Sequence, residues 1–330
     1  MEIIAGENPA DPTTWQWTNA DTMFVSLVKE AHKRNMRIIL DFSWNHTGRQ
    51  FWAWKDLVKN QQNSPYADWY EVNRFDDPAT TANEFDYSGW VGTKALPEWK
   101  KVGVVKGEEG KPFEGTLHPG VKDHIFQVTK RWMDPNNDGD FSDGIDGMRL
   151  DVADKVPSGF WRAFRQFVRS INPEFYLVGE NWWKNWPDTL MDPAPWVQGD
   201  IFDAVMHYQW YKPTRGYFIG GVDSLSKQAW QDSMIRIFGA YRPETARAMM
   251  NVAGTHDSPR MATSLKNKNK YKYHCKPPED PTYRTDYPLD DVWALVKLFQ
   301  VHQFTFVGSP HIFNGDELGM WGADDPDNRK

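Results

Sequence analysis

The amino-acid sequence predicts an α/β protein built on a parallel sheet. Short apolar segments with strand character alternate with helical segments along much of the 330 residues, which is typical of parallel α/β folds. Polar residues capable of chemistry follow five of the predicted strands. They are Asp41 and His46, Arg149 and Asp151, Glu180, His256 and Asp257, and Asp316 and Glu317. Barrels of alternating strands and helices assemble their active sites at that end of several strands, so this agreement indicates a functional site.

The first predicted helix follows a loop over residues 1–17. Thr18 and Asp21 form a capping-box pattern, and helical spacing continues from there to about Asn35. The apolar positions at that spacing are Phe24, Leu27, Val28 and Ala31. The next segment, Arg37–Asp41, is predicted to be a strand, and its continuous apolar residues favour burial on both faces.

Periodicity is lost from Thr47 to about Asp143, apart from an amphipathic helix around Val121–Met133. A structureless loop of that length is uncommon, so this segment is either an inserted subdomain or a functional excursion, and we expect the subdomain. The predicted domains are therefore residues 1–46 as the start of a barrel, 47–143 as the inserted subdomain with its adjoining helix, and 144–330 as the remainder of the barrel.

Strand and helix signals return after residue 143. The predicted strands are Gly147–Val152, Phe175–Gly179, Phe202–Tyr208, Ala248–Val252 and Pro310–Phe313. The predicted helices are Ser158–Asn172, one within Asp223–Tyr241 and one within Leu289–Phe306. The first of these helices carries Phe160, Trp161, Phe164 and Val168 on one side.

Composition argues against several classes of protein. The net charge of −7 argues against nucleic acid or an anionic membrane surface as a partner, and the basic run Lys266–Lys272 is most simply a solvated loop. No run approaches the roughly 18 apolar residues of a membrane span. The single cysteine, Cys275, excludes an internal disulfide and leaves the redox compartment open.

Aromatic residues are unusually frequent, with 18 Trp, 12 Tyr and 19 Phe. Many Trp lie among polar residues, including Trp52, Trp69, Trp90, Trp182 and Trp183. A flat ring with a polar N–H suits a sugar-binding surface. For any single Trp, the packing of irregular loops is an equally good explanation.

Arg149 and Asp151 lie two residues apart at the end of a predicted strand. Residues i and i+2 of a strand project to the same face, so a guanidinium and a carboxylate emerge side by side. A carboxylate beside a permanent cation stays ionised, as a carboxylate nucleophile requires. Taken alone, the pair is equally well explained as a structural salt bridge.

Four segments in order resemble the motifs of the α-amylase family, glycoside hydrolase family 13. Asp41-Phe-Ser-Trp-Asn45-His46 resembles the first motif, Gly147-Met-Arg149-Leu-Asp151 the second, Gly179-Glu180-Asn the third and Thr255-His256-Asp257 the fourth. The resemblance extends from about Trp15 to Asp325. Around Asp151-Val-Ala and Leu96-Pro-Glu98 the chain is most similar to neopullulanase, cyclomaltodextrinase and bacteroidal periplasmic amylase-like members.

The resemblance implies a (β/α)8 TIM barrel and retaining, double-displacement hydrolysis of α-glucosidic bonds in starch-like glucans, pullulan or cyclodextrins. In that scheme Asp151 is the nucleophile, Glu180 the general acid/base, and Asp257 a carboxylate that binds sugar hydroxyls and helps to distort the ring. Asp151 and Glu180 are expected about 5–5.5 Å apart in a retaining enzyme. The implied substrate-binding residues are Asp41, His46, Arg149, Trp182 and His256.

The sequence departs from the family pattern in two motifs and at both ends. The fifth motif is Leu96-Pro-Glu-Trp-Lys100, which leaves substrate preference open, and Lys155 stands where many members have a metal-ligating His. The chain opens after the family's second strand and stops just after the eighth. We therefore expect strands three to eight of an incomplete barrel, as a fragment of a longer gene product with exposed sheet edges.

A second feature favours a structural calcium ion. Oxygen ligands alternate at Asp134, Asn136, Asp138 and Asp140, with Gly139 at the sixth position, as in the first half of a calcium loop. The twelfth residue is Ile145 instead of Glu, so Asp146 or Asp143 is expected to complete the site. A solvated turn rich in Asp and Asn is the alternative.

Alternative functions remain open at this point. The same residues suit a transglycosylase of the family, and a truncated barrel suits a non-catalytic glucan-binding fragment. Linkage preference and oligomeric state do not follow from the sequence. Localisation would be periplasmic or extracellular if the protein is like the bacteroidal members, and cytoplasmic if it is like the cyclomaltodextrinases.

Overall fold

The computed structural model describes residues 5–185, 189–221, 223–272 and 274–329. The chain forms two compact units, and each is described by itself. The first comprises Met1–Glu180 with Asp200–Phe202, and the second comprises Asn181–Gly199 with Asp203–Lys330. The predicted subdomain of residues 47–143 lies wholly within the first unit, and its boundaries remain a prediction.

The first unit mixes a parallel sheet with short antiparallel hairpins. Its strands are β1 (Ile39–Ser43), β2 (Val72–Arg74), β3 (Asp86–Tyr87), β4 (Lys101–Val105), β5 (Glu114–Leu117), β6 (Gly147–Asp151) and β7 (Tyr176–Gly179). Its α-helices are α1 (Asn19–His32), α2 (Trp52–Asn60), α3 (Pro119–Met133) and α4 (Ser158–Ile171). The predicted capping box begins α1, since Thr18 and Asp21 each accept a hydrogen bond from the other's backbone N–H.

The register of the parallel sheet places the chemically capable residues together. Strand β6 lies between β1 and β7, with Asp41 opposite Arg149 and Leu150 opposite Gly179. Residues in register on neighbouring strands project to the same face, so Asp41 and Arg149 share a face. Glu180 follows β7 directly and therefore emerges beside the end of β6.

Helix α4 shows how the apolar pattern makes the core. Phe160, Trp161, Phe164 and Val168 are all buried on one side, as predicted. Full burial of each of these side chains contributes on the order of 1.5–3 kcal/mol. This helix therefore follows from the sequence alone.

Strand β1 is less buried than predicted. Ile39 is 39% exposed, so the expectation of burial on both faces is wrong. Within the described residues β1 is bonded in its sheet to β6 alone and lies at an edge. An edge strand with one neighbour leaves part of its apolar surface uncovered.

The segment 47–143 is more structured than its lost periodicity indicated. Helix α2 was not predicted, although Ala53, Trp54 and Leu57 are buried at helical spacing. Strands β2 and β3 pair antiparallel, as do β4 and β5. Trp54 lies 4.4 Å from Tyr87 by ring centroid, so this Trp packs an irregular subdomain and is not a surface for sugar.

The second unit carries short strands among helices. Its strands are β8 (Trp183–Asn185), β9 (Thr189–Leu190), β10 (Ala204–Val205), β11 (Met250–Val252) and β12 (Ser309–His311). Its α-helices are α5 (Tyr208–Ile219), α6 (Lys227–Phe238), α7 (Pro243–Ala248), α8 (Met261–Lys266) and α9 (Asp290–Thr305). The predicted strand Phe202–Tyr208 is thus only two residues long, and helix α5 begins where it was expected to end.

Parallel pairing continues in the second unit. Strands β11 and β12 are parallel, and Met206 forms a parallel bridge to Met250. A core of apolar residues from α5, α8 and α9 supports them, including Trp210, Leu265 and Phe299. The predicted strand–helix alternation is therefore confirmed in both units. None of the helices in the described ranges is long and apolar enough to cross a membrane.

Candidate active site

Arg149 is the centre of a carboxylate cluster in the first unit. Its Nη1 lies 2.8 Å from Asp41 Oδ1 and 2.5 Å from Asp151 Oδ1, and its Nη2 lies 3.0 Å from Glu180 Oε2. The sheet register explains the arrangement, since Asp41 lies opposite Arg149 within β1 and β6, Asp151 ends β6, and Glu180 follows β7. The structure thus places Arg149 and Asp151 in contact, as their i, i+2 spacing predicts, and adds two further carboxylates.

The guanidinium at the centre is permanently charged. Burial by itself would lower the pKa of Arg149, but the negative charges of Glu180, Asp41 and Asp151 outweigh burial and raise it. The side chain of Arg149 is 10% exposed, whereas that of Asp41 is 55% exposed. The cation is therefore held inside the cluster, with Glu180 and Asp151 as its more buried partners.

The residue after Asp151 has a strained backbone. Val152 has φ +51° and ψ 39°, in the left-handed region that β-branched residues rarely adopt. Its N–H donates a hydrogen bond to Glu180 Oε2 at 3.1 Å. Strain of this kind costs about 1–3 kcal/mol and concentrates at functional sites. Here it turns the backbone so that the strand carrying Asp151 binds the Glu180 side chain.

His46 lies on a segment that is bonded to the inserted region. Its ring stacks on Trp90 at 5.4 Å, and its backbone forms an antiparallel bridge with Glu98. Burial lowers the pKa of His46, although Asp151 and Glu98 oppose this effect, so the imidazole is neutral at neutral pH. A neutral imidazole can both donate and accept a hydrogen bond, as binding of a sugar hydroxyl requires.

Glu98 and Lys101 were not among the residues predicted for the site. Glu98 Oε1 lies 3.4 Å from Asn45 Nδ2, and its Oε2 lies 3.1 Å from Lys101 Nζ. The sequence signal was the altered fifth motif, which contains Glu98. In the structure this motif lies against the segment that carries His46, because Glu98 forms a backbone bridge with His46.

In the second unit, His256 and Asp257 follow β11 as predicted. His256 Nε2 lies 3.0 Å from Asp257 Oδ2, and Arg329 Nη2 lies 3.5 Å from Asp257 Oδ1. Lys272 donates to the backbone carbonyl of Asp257 and pairs with Asp324 at 2.6 Å. The basic run Lys266–Lys272 is therefore only partly a solvated loop, because its last residue, Lys272, binds the backbone of Asp257.

Asn328 fixes the loop that carries His256 and Asp257. Its buried amide donates to the carbonyls of His256 and Ser258, both at 2.8 Å, and lies 3.4 Å from that of Thr255. No local sequence pattern indicates this contact, because the bonded residues are about 70 positions apart. A buried amide that binds several carbonyls of one short loop restricts how far that loop can move.

Trp182 is packed between other aromatic rings. It stacks on Tyr208 at 4.0 Å and on Trp183 at 5.0 Å, and it is largely buried. Lys272 lies over the ring at 5.7 Å. Binding of sugar by Trp182 stays a prediction.

The comparisons identify the family. The sequence profile described as "Alpha amylase, catalytic domain" matches residues 16–329. The chain belongs to the α-amylase family. Neopullulanase 2 of Thermoactinomyces vulgaris is 32% identical over 308 residues, covering 93% of this chain and 43% of that relative. A cyclomaltodextrinase of Geobacillus thermopakistaniensis is 32% identical over 305 residues, covering 92% and 42%.

A solved structure agrees with this assignment. The cyclic alpha-maltosyl-(1→6)-maltose hydrolase of Arthrobacter globiformis is 27% identical, with a TM-score of 0.70 over 93% of this chain and 56% of that one. The predicted fold class, the TIM-barrel family of the α-amylases, is confirmed by these matches. The chain spans less than half the length of the curated relatives it matches.

The predicted calcium loop is closed by its own hydrogen bonds. Asp134 accepts from the N–H groups of Asp138 and Gly139, and Asp138 accepts from the N–H of Asp140 and the amide of Asn136. These contacts form the turn rich in Asp and Asn that was the alternative. In the described part of the chain no group of three or more His, Cys, Asp or Glu side chains is arranged to hold a metal ion.

Asp146 is engaged outside that loop. Its carboxylate accepts from Ile38 N–H at 2.7 Å and contacts His32 at 2.7 Å and Arg37 at 2.8 Å. The side chains as arranged do not form a calcium cage. Calcium therefore stays a prediction, and the proposed reaction does not depend on it. At the family's other metal position, Lys155 pairs with Asp154 at 3.1 Å.

Proposed function

We propose that this α-amylase-family chain carries the catalytic residues of a retaining glycoside hydrolase that acts on α-glucosidic bonds of starch-like glucans. The observation that carries the proposal is the position of Asp151 and Glu180 on the two terminal nitrogens of one guanidinium. Retaining glycosidases use two closely spaced carboxyl groups, one as nucleophile and one as acid and base.

Each side chain has a defined task in this mechanism. Arg149 binds Asp151 Oδ1, so Oδ2 is the oxygen that attacks the anomeric carbon. Glu180 gives its proton to the glycosidic oxygen as the bond from the anomeric carbon to that oxygen breaks, and a glycosyl ester forms on Asp151. Glu180 then takes a proton from water, whose oxygen displaces Asp151 and yields the sugar with its original configuration.

The substrate class is inferred from relatives and from the sugar-binding side chains. The relatives are named as a neopullulanase, a cyclomaltodextrinase and a cyclic maltosyl-maltose hydrolase, all names that refer to α-glucans or their hydrolysis. His46 and His256 would bind hydroxyls of the cleaved sugar, and Asp257 would help to distort its ring. Asp41 would hold Arg149 from the solvent side.

The test is hydrolysis of maltoheptaose, β-cyclodextrin and pullulan by the chain, with the first-formed anomer followed by NMR. The expected product is the α-anomer. Asp151→Asn should abolish turnover, and Glu180→Gln should lower kcat by about 10²–10⁴-fold. Asp200→Asn, at an exposed carboxylate of the same unit, is the matched control and should be neutral. A β-anomer, or full activity in Asp151→Asn, would refute the proposal.

Transfer to a second sugar is separated from hydrolysis by product analysis at high maltoheptaose concentration. Products longer than the substrate would assign the same residues to a transglycosylase. Glucan binding that Asp151→Asn leaves unchanged, with no turnover by the wild-type chain, would assign the chain to a binding role instead.

A further inference from the structure

A large cavity in the second unit is not used by the proposed mechanism. Its volume is about 840 Å³, within the range of roughly 300–1,000 Å³ that small-molecule sites occupy. Strand β9 and the residues after it, helix α5 and helix α6 supply its walls. None of its described lining residues has a role in the reaction above. Its charged and polar lining residues include Asp192, Gln209, Lys212, Asp223, Arg236 and Tyr241.

We propose that this cavity is a second binding site for a neutral α-glucan segment, separate from the residues that carry out the reaction. The identity of the ligand rests on the proposed function, while the existence of the site rests on the cavity itself. Two independent observations support it, namely an unsatisfied buried acceptor and the balance of charges in the lining.

Gln209 supplies the unsatisfied acceptor. Its amide nitrogen donates to the backbone carbonyls of Met191 and Asn181, which fixes the orientation of the side chain. The residue is 7% exposed, and its Oε1 has no hydrogen-bond partner among the described residues. A buried polar atom without a partner is costly, and Gln209 lines the cavity, so a ligand that brings a donor to this side chain would relieve the cost. A sugar hydroxyl is such a donor.

The charges of the lining select against ionic ligands. Asp192 and Asp223 face the same cavity as Lys212 and Arg236, so a ligand with several like charges would meet repulsion wherever it lay. Charged side chains of both signs are also good partners for hydroxyl groups, which both donate and accept. A neutral ligand with many hydroxyls fits this lining best.

The apolar part of the lining suits the faces of sugar rings. Pro193, Pro213, Leu225 and Ile237 lie between the polar residues, and Tyr241 adds an aromatic ring. Tyr241 is held in place by His207, whose Nε2 lies 3.2 Å from the phenol oxygen. The ring is therefore fixed before any ligand binds, which reduces the entropy lost on binding.

The experiment is calorimetric titration of maltoheptaose into the full chain carrying Asp151→Asn, which prevents turnover. Two molecules are expected to bind. Ala240→Trp fills the cavity from an exposed position and should leave one. Ile235→Trp is the matched control, because Ile235 is 72% exposed on helix α6 and lies outside the lining, and it should leave two. The proposal would be overturned if Ala240→Trp left the stoichiometry unchanged, or if the Asp151→Asn chain without further substitution (the parent) bound only one molecule of maltoheptaose.

A second variant tests the proposal in case Ala240→Trp does not fold. Gln209→Met keeps the size of the side chain and removes the unpartnered Oε1, so the second site should weaken about fivefold. If circular dichroism shows Ala240→Trp unfolded, unchanged affinity in Gln209→Met overturns the proposal by itself. Equal binding of cellohexaose at this site would overturn the α-glucan assignment.

Hydrolysis and stoichiometry together distinguish failure of the second site from failure of the proposed function. A wild-type chain that hydrolyses maltoheptaose while the parent binds one molecule would refute the second site alone. A chain that binds two molecules and hydrolyses none would refute the proposed function and leave the second site standing.

Discussion

Replacing Arg149 by Met tests the carboxylate cluster directly. Methionine keeps much of the length of the side chain and removes the charge and all donors. Asp41, Asp151 and Glu180 would then lose the cation that lies 2.5 to 3.0 Å from an oxygen of each. Under the proposed mechanism both stability and catalysis depend on that cation, so both should fall together.

The expected loss of stability follows from burial. Removing one partner of a buried ion pair costs about 3–5 kcal/mol, because the other charge is left without compensation. Asp41 is mostly exposed and contributes little, whereas Glu180 and Asp151 are largely buried. We therefore expect Arg149→Met to lower the free energy of unfolding by about 3–5 kcal/mol at pH 7.

Urea denaturation at pH 7 measures the loss of stability, and kcat/KM on maltoheptaose measures the loss of catalysis. Misplacement of the nucleophile should lower kcat/KM by at least about a hundredfold. Arg162→Met is the matched control, since Arg162 pairs with Glu114 on the surface and should cost under about 1 kcal/mol. If Arg149→Met costs no more than the control, or keeps its kcat/KM, the role given to the guanidinium is wrong.

Three further predictions follow. Burial raises the pKa of Asp316 from 3.8 to about 6, although Arg260 lies 3.1 Å away. Between those two pH values the folded chain holds a proton that the unfolded chain has lost, so the free energy of unfolding falls as the pH rises. In urea titrations the free energy of unfolding of the wild type, relative to Asp316→Asn, should fall by roughly 2–3 kcal/mol from pH 3.5 to pH 7. Asn328→Ala should lower kcat by about tenfold or more, because it frees the loop that carries Asp257. Asn328→Asp should lower kcat as much, because the carboxylate lacks the N–H donors that bind the loop carbonyls. An unchanged kcat in both variants would contradict the proposed restraint. The sequence prediction of calcium at the loop Asp134–Asp140 is tested by thermal melting: an ion that replaces the hydrogen bonds of the loop should raise the melting temperature at millimolar concentration, and the absence of a shift would remove the prediction.

Local patterns predicted the elements whose apolar residues repeat on one face. Helices α1, α3, α4, α6 and α9 were predicted, because cap residues and apolar spacing are properties of neighbouring residues. Helix α2 was missed within a long aperiodic segment, and α5 was missed because its buried polar residues, such as Gln209 and Arg215, hide any apolar stripe. The exposure of Ile39 depends on which strands are neighbours, and local sequence does not contain that information.

The site shows the same division between local and distant information. Contact between Arg149 and Asp151 follows from strand geometry alone. Addition of Glu180 to the same guanidinium requires the register of β6 and β7, which becomes known only once the sheet is formed. The amide of Asn328 reaches carbonyls far earlier in the chain, and nothing in its own sequence neighbourhood indicates that.

Under the proposed mechanism, the charge balance around Arg149 explains how the cluster aids the reaction despite its cost in folding. Three carboxylates share one guanidinium, so the cluster keeps a net negative charge even when Glu180 carries its proton. The transition state of glycoside hydrolysis resembles an oxocarbenium ion, which is positive, and fixed negative charge in a partly buried site stabilises it more than water does. A hydrophobic replacement of the cluster would remove the desolvation cost and also remove this stabilisation. Under the proposed mechanism, the strain at Val152 and the burial of Arg149 are thus costs in folding that hold charge where the reaction needs it.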